Sequence, residues 1–210
     1  MDTVEQARAY AAADFTDPHD AFVARFRERF PEFRSGRVLD LGCGPADVTV
    51  RFARSYPEAR VHGVDGAPAM LDEGVKLVRA AGLDDRVSLE LLRLPSPSLT
   101  GAAYDAVISN SLLHHLADPG VLWVTAAATA RSDAPVFVMD LCRPPSTDAA
   151  QHLVDTYAAR ESRVLRDDFY RSLCAAYTPD EVQMQLVDAR LDHFRVERAG
   201  DRHLFVWRAR

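Results

Sequence analysis

Short apolar runs, several ending in an acid, punctuate this chain, and most are followed by a stretch with helical spacing. The runs at 38–41, 60–65, 86–94, 104–109 and 134–141 read as buried strands of a parallel sheet. Between them, 47–56, 68–81 and 122–130 read as crossover helices, the second ending at Gly82. Two helices are predicted before the first strand, at 4–13 and 21–30, with a turn at Asp17-Pro18 between them. Phe22, Val23, Phe26 and Phe30 share one side of the second. Beyond the fifth strand come helices at 146–159 and 162–177, with Tyr157, Phe169, Tyr170, Leu173 and Tyr177 interspersed. Thr178-Pro-Asp-Glu181 starts a last helix running to about 191. The stretches 193–198 and 203–208 then alternate as a closing hairpin around 199–202. Strands alternating with helices predict an α/β fold.

The first strand runs into Asp40-Leu41-Gly42-Cys43-Gly44-Pro45-Ala46-Asp47. A strand, a glycine turn and a helix make the first half of a nucleotide-binding βαβ unit. Dinucleotide binders need a third glycine where this chain has Asp47, because the pyrophosphate sits on the bare helix end. Asp47 suits the helix dipole and repels a pyrophosphate, and Asp40 adds a second negative charge. The preferred ligand is therefore cationic or zwitterionic. Asp65 ends the second strand, 21 residues beyond Gly44, the spacing at which an acid meets ribose hydroxyls; capping the helix that starts near Pro68 is its alternative use.

On these residues the chain resembles the class I S-adenosylmethionine-dependent methyltransferases, whose first signature is acid-x-Gly-x-Gly-x-Gly. Asp40, Gly42 and Gly44 match it, and Ala46 stands in the last place. A second likeness lies after the fourth strand, where Ser109-Asn110-Ser111-Leu112-Leu113-His114-His115 is similar to the turn carried by members acting on small molecules. The likeness runs from Gly36 onward. It implies a Rossmann-like, seven-stranded, mostly parallel sheet with an antiparallel last strand, helices on both faces, N-terminal helices and a helical insertion after the fifth strand. One domain over 1–210 is expected: a cap at 1–35, a cofactor core at 36–143, an acceptor-side insertion at 144–177, and a final helix and strand pair at 178–210.

The resemblance further implies S-adenosylmethionine as cofactor, S-adenosylhomocysteine as product, and methyl transfer by in-line displacement. Cys43 and Gly66 flank the cofactor turns, Asn110 and Ser111 line the methionine end, and Met70 packs on adenine or into the core. Many members place Gly-Asp after the third strand to hold adenine; here Leu92-Arg93-Leu94-Pro95 stands there. A backbone group of that stretch, Ser96 or Ser98 takes the job, or packing alone does, with Arg93 and Leu94 beside the ring. Tyr10, Phe15 and His19 are lid residues toward the acceptor, and Tyr170 of the insertion lines its pocket. Asp140 and Arg143 leave the fifth strand at the same edge, to meet the acceptor or to form a salt bridge at the mouth of the fold. His114, His115 and Asp140 are the candidates for a general base. Neighbouring helical residues point about 100° apart, so one histidine is expected to be packed, and His114 can reach Asp118 at i+4.

Composition narrows the partners. With 48% hydrophobic and 27% charged residues the chain is of ordinary globular type, and its net charge of −6 offers nothing global to a phosphate backbone. The acceptor is expected to be a small molecule rather than protein or RNA. A non-catalytic cofactor binder and a nucleotide-dependent oxidoreductase are the other rivals. Cys43, Cys142 and Cys174 form no paired motif, no ligand set for a metal is spaced along the chain, and neither a signal peptide nor a membrane span is expected. A cytoplasmic protein follows.

Overall fold

The computed structural model describes residues 3–209; Met1 and Asp2, where the signal-peptide reading begins, lie outside them. The elements in order are α1 (Val4–Ala12), α2 (Thr16–Arg29), β1 (Ser35–Leu41), α3 (Asp47–Ser55), β2 (Glu58–Asp65), α4 (Pro68–Ala80), β3 (Val87–Leu91), β4 (Ala106–Asn110), α5 (Gly120–Thr129), β5 (Val136–Leu141), α6 (Thr147–Tyr157), α7 (Arg163–Ala175), α8 (Pro179–Asp188), β6 (Phe194–Ala199) and β7 (His203–Arg208). The sheet has seven strands in the order β3-β2-β1-β4-β5-β7-β6. All neighbours are parallel except β7, which runs against both β5 and β6.

Alternation along the strands divides the core. Val38, Ile108, Phe137 and Met139 face α2, α3 and α4, where Phe22, Phe26, Phe30, Phe33, Phe52 and Tyr56 gather. The Phe26 ring lies edge-on to Phe52 at 4.8 Å and to Phe137 at 5.9 Å, spacings at which aromatic pairs add to simple burial. Leu39, Leu41, Val107 and Val138 face the opposite side, against α5 and α8 with Trp123 fully buried. A third cluster joins α6 and α7 to Leu141, so the insertion is packed onto the end of β5.

Several boundaries differ from expectation for identifiable reasons. Asp17-Pro18 belongs to the first turn of α2 instead of preceding it; the N–H that proline lacks has no partner in a first turn anyway. α8 stops at Asp188 because Arg190 turns left-handed at φ 58° and the Leu191 N–H closes back on the Leu186 carbonyl at 2.8 Å. β3 ends at Leu91, after which the Leu92 N–H bonds to the Asp65 carbonyl at 2.9 Å and the chain crosses the tip of β2. Among the described residues no helix is long and apolar enough to cross a membrane.

Candidate active site

β1 and β4 are neighbours whose connections leave in opposite directions across the sheet, and the crevice at their carboxyl ends is where open α/β sheets bind ligands. A cavity of about 420 Å³ opens there. The glycine turn forms one wall. Gly42 adopts φ +72°, and a Cβ on it would lie 2.8 Å from Leu112; Gly44 adopts φ +53° with nothing within 4 Å of where its Cβ would stand. Two residues that only glycine accommodates well thus leave bare backbone against open space.

Asp40, Asp47 and Asp65 line this cavity, along with Cys43, Gly66, Met70, Arg93, Leu94, Asn110, Ser111 and His115. The Asp65 carboxylate accepts the Gly44 N–H at 2.9 Å and the Ala67 N–H at 2.8 Å, so it shapes both turns and keeps a free lone pair on each oxygen. Ala67 precedes α4, so the capping use is partly realised as well. Asp40 is buried and accepts the Thr49 hydroxyl at 2.6 Å. Burial pushes its carboxyl up to about 7, against the Thr49 hydrogen bond and helped by the nearby Asp65 charge. Burial also raises the Cys43 thiol, which is inert there.

Burial works to raise the Asp47 carboxyl, but hydrogen bonds from His19 and Arg51 outweigh it and hold it below the usual range. His19 Nδ1 lies 2.5 Å from one Asp47 oxygen, and the Arg51 Nε donates to the same oxygen at 2.8 Å. The Asp47 charge, read from sequence as repelling a pyrophosphate, is therefore held by Arg51 and by a hydrogen bond to His19. At the far end, Ser96 accepts the Ser98 N–H in a short turn at Pro97–Leu99, and neither serine lines the cavity. Leu92, Arg93 and Leu94 do, which leaves backbone and packing as the means of holding a ring. The Asn110 Oδ1 atom is buried with no hydrogen-bond partner.

A second cavity, about 320 Å³, adjoins the first through Tyr10, His19, Ser111 and His115, which line both. Phe15, His114, Met139, Leu141, Tyr157, Phe169 and His203 complete much of its wall. Tyr10 and Phe15 pack ring to ring at 4.6 Å, and burial, with Asp47 and Asp140 near, pushes the Tyr10 phenol up to about 12. β7 delivers His203 here because it runs backwards; burial first, then Arg202, depresses its imidazole to about 4, so it is neutral at pH 7.

His114 and Asp140 pair at 2.5 Å, with both side chains almost fully buried. Asp140 also accepts the Leu113 N–H at 2.8 Å and the Leu141 N–H at 2.7 Å. The expected His114–Asp118 contact does not form; Asp118 accepts the Gly120 N–H instead. Leu113–His115 is a single tight turn, and both histidines border the second cavity, their rings 4.0 Å apart. Arg143 meets neither Asp140 nor a cavity. It pairs with Glu181, whose position at the start of α8 is fixed by the capping box with Thr178. Tyr170 also turns away, into a surface groove with Arg166 and Arg171, while its neighbour Phe169 faces the second cavity. The 100° step between adjacent helical residues decides which of the two points inward. His19, His203 and Phe169 in this arrangement rest on contacts between distant segments, and no local spacing announced the first two.

Residues 38–132 match the family described as "Methyltransferase domain". A trans-aconitate 2-methyltransferase from Mycobacterium ulcerans is 37% identical over 95 residues, covering 44% of this chain and 33% of that protein. One from Methylobacterium nodulans is 25% identical over 201 residues, covering 92% and 74%. The chain spans about 33% of the length of the first curated relatives it matches. Among solved structures, an O-methyltransferase family protein from Burkholderia thailandensis superimposes with a TM-score of 0.70 at 18% identity, over 97% of this chain and 59% of that one. A SAM-dependent methyltransferase from Aquifex aeolicus gives 0.68 at 17% identity, over 96% of each. Residues 38–132 thus carry a methyltransferase domain, and in sheet order and glycine turn the chain has the fold of the solved methyltransferases it superimposes on.

Proposed function

We propose that this chain binds S-adenosylmethionine in the cavity at the β1, β2 and β4 tips and methylates a small-molecule nucleophile held in the adjoining one. The observation that carries the reading is the pair of cavities joined at Ser111 and His115, one lined by three carboxylates and the other walled by the N-terminal helices and by α6 and α7.

The residues present suit that cofactor. The orphaned Asn110 Oδ1 calls for a donor, which an ammonium group supplies. Asp65, with lone pairs to spare, and Asp40 beside it give the turn a negative cast that favours a cation over a pyrophosphate. Asp65 would take the ribose hydroxyls on its free lone pairs, Met70, Leu92 and Leu94 would pack on adenine, and Asn110 and Ser111 would hold the amino-acid end. When bound, the cofactor supplies a methyl group on positively charged sulfur, already activated for displacement.

The chain's own contribution is placement and dryness. Holding two reactants in line supplies effective molarities on the order of 10⁵ M or more, and the α1–α2 and α6–α7 walls exclude water. His114 adds a base: a carboxylate only accepts, so the proton between them sits on Nδ1 and leaves Nε2 with a lone pair. Asp140 fixes that tautomer, and His115 stands between the two cavities. An enclosed acceptor space fits a small molecule better than a protein or RNA. Free cysteines suit a reducing compartment, and a cytoplasmic location belongs to the same proposal.

Calorimetry tests the reading. S-adenosylmethionine and S-adenosylhomocysteine are expected to bind with micromolar affinity and NADH not at all, and Asp65→Ala is expected to weaken binding at least tenfold. Uptake of NADH with no heat from either sulfur compound would overturn it.

A further inference from the structure

The second cavity carries chemistry that a general acceptor site does not need. We propose that the acceptor is a hydroxylated aromatic compound free of carboxylates, methylated on its phenolic oxygen. This rests on the methyl-transfer reading and names the substrate class of that same site.

The first argument is charge. Asp14, Asp17, Glu161 and Asp168 line the cavity, and Arg202 is its one permanent cation among the described residues. Arg202 is committed elsewhere: its guanidinium sits 3.4 Å from the centre of the Tyr157 ring and donates to Asp201 at 3.0 Å. A carboxylated acceptor would meet four like charges and no uncommitted arginine or lysine. The second argument is shape. Tyr10, Phe15, Tyr157 and Phe169 bring rings from α1, the α1–α2 junction, α6 and α7 to one space of about 320 Å³. That is near the lower end of the roughly 300–1,000 Å³ of small-molecule sites, enough for a flat, compact guest.

The third argument is the base. A carboxylic acid, with a pKa near ~4, is already ionised at neutral pH, whereas a phenol near ~10 must give up a proton. The buried His114–Asp140 pair, facing this cavity with Nε2 free, is of use only to an acceptor of the second kind. In the step, the phenolic proton passes to His114 Nε2 while the oxygen lone pair forms the bond to the methyl carbon. The carbon–sulfur bond breaks, and its electron pair stays on sulfur as a neutral thioether. His114 then returns the proton to water.

The protein with S-adenosylmethionine is offered 2-naphthol, catechol and 8-hydroxyquinoline on one side, and trans-aconitate, monomethyl malonate and 4-hydroxybenzoate on the other. Methylated products are identified by mass spectrometry, and cofactor affinity is read separately by calorimetry. The expected result is O-methylation of at least one uncharged phenol with the carboxylates inert. His114→Ala should lower kcat at least 100-fold, in line with general-base contributions of roughly 10²–10⁴, with cofactor affinity within threefold. His114→Asn, which can still donate to Asp140, serves if the alanine variant does not fold. Glu161→Arg should let 4-hydroxybenzoate bind at least tenfold more tightly than it does to the parent. Cofactor binding with only carboxylates consumed, with no phenol methylated, or with folded His114 variants as fast as the parent would overturn the proposal. Absence of cofactor binding would instead overturn the reading beneath it.

Discussion

Asp40 shows how much a single residue can be asked to bear. Its carboxyl is 1% exposed, and burial raises it from 3.8 to about 7. A raised folded-state value means that the folded chain holds more protons than the unfolded one between those two pH values, so stability falls as pH climbs through the window and the cost is complete above 7. At about 1.36 kcal/mol per unit the ceiling is near ~4 kcal/mol. Asp40→Asn retains an acceptor for the Thr49 hydroxyl and sheds the charge. It is expected to gain about 2 kcal/mol at pH 8, seen as roughly 4–8 °C in Tm for a chain of this size, while binding S-adenosylmethionine more weakly. Thermal melts at pH 8 with and without ligand check both halves. An unchanged melting point would mean that Asp40 is already relieved of its charge by solvent.

At the scale of elements, α2 is fastened to α3 across the top of the cofactor cavity. His19 reaches Asp47, and Arg51 links the same carboxylate to Asp20 of α2 at 2.6 Å. His19→Ala removes the buried member of this network and is expected to speed cofactor dissociation about tenfold and to make the 3–15 segment the first to be cut by dilute protease. Stopped-flow release and limited proteolysis would show it. Strands and crossover helices were legible because alternation and 3.6-residue spacing are local properties, and so was the Asp65 spacing. The site was legible only where a turn fixes its own side chains, as at Gly42 to Gly44. Arg143 failed because a capping box 38 residues on claims it. Tyr170 failed because sequence locates a helix but not its rotation about the axis. His19 was read as a lid residue, but its partner lies 28 residues away and no spacing rule reaches that far.

For the whole molecule, buried Asp40 and half-buried His203 titrate against each other. His203 is depressed from 6.5 to about 4, so here the unfolded chain binds the extra proton, and stability falls as pH drops through that interval. Asp40 does the reverse over nearly the same interval. The parent protein is therefore expected to be almost level in stability between pH 5 and 7. Asp40→Asn should tilt the profile downward toward acid, and His203→Gln should tilt it upward. Urea unfolding at four pH values would separate the slopes; parallel profiles for all three proteins would sink the account.

The backward course of β7 has an evolutionary corollary. Because that strand enters the sheet from the crevice side, the tight bend at 199–202 lies beside the second cavity, far from the Gly42–Gly44 turn. Under the proposed function, changes to this bend would remodel what is methylated while the glycine-turn half stays as it is. Diversification of such an acceptor space, by nature or at the bench, has its readiest foothold there.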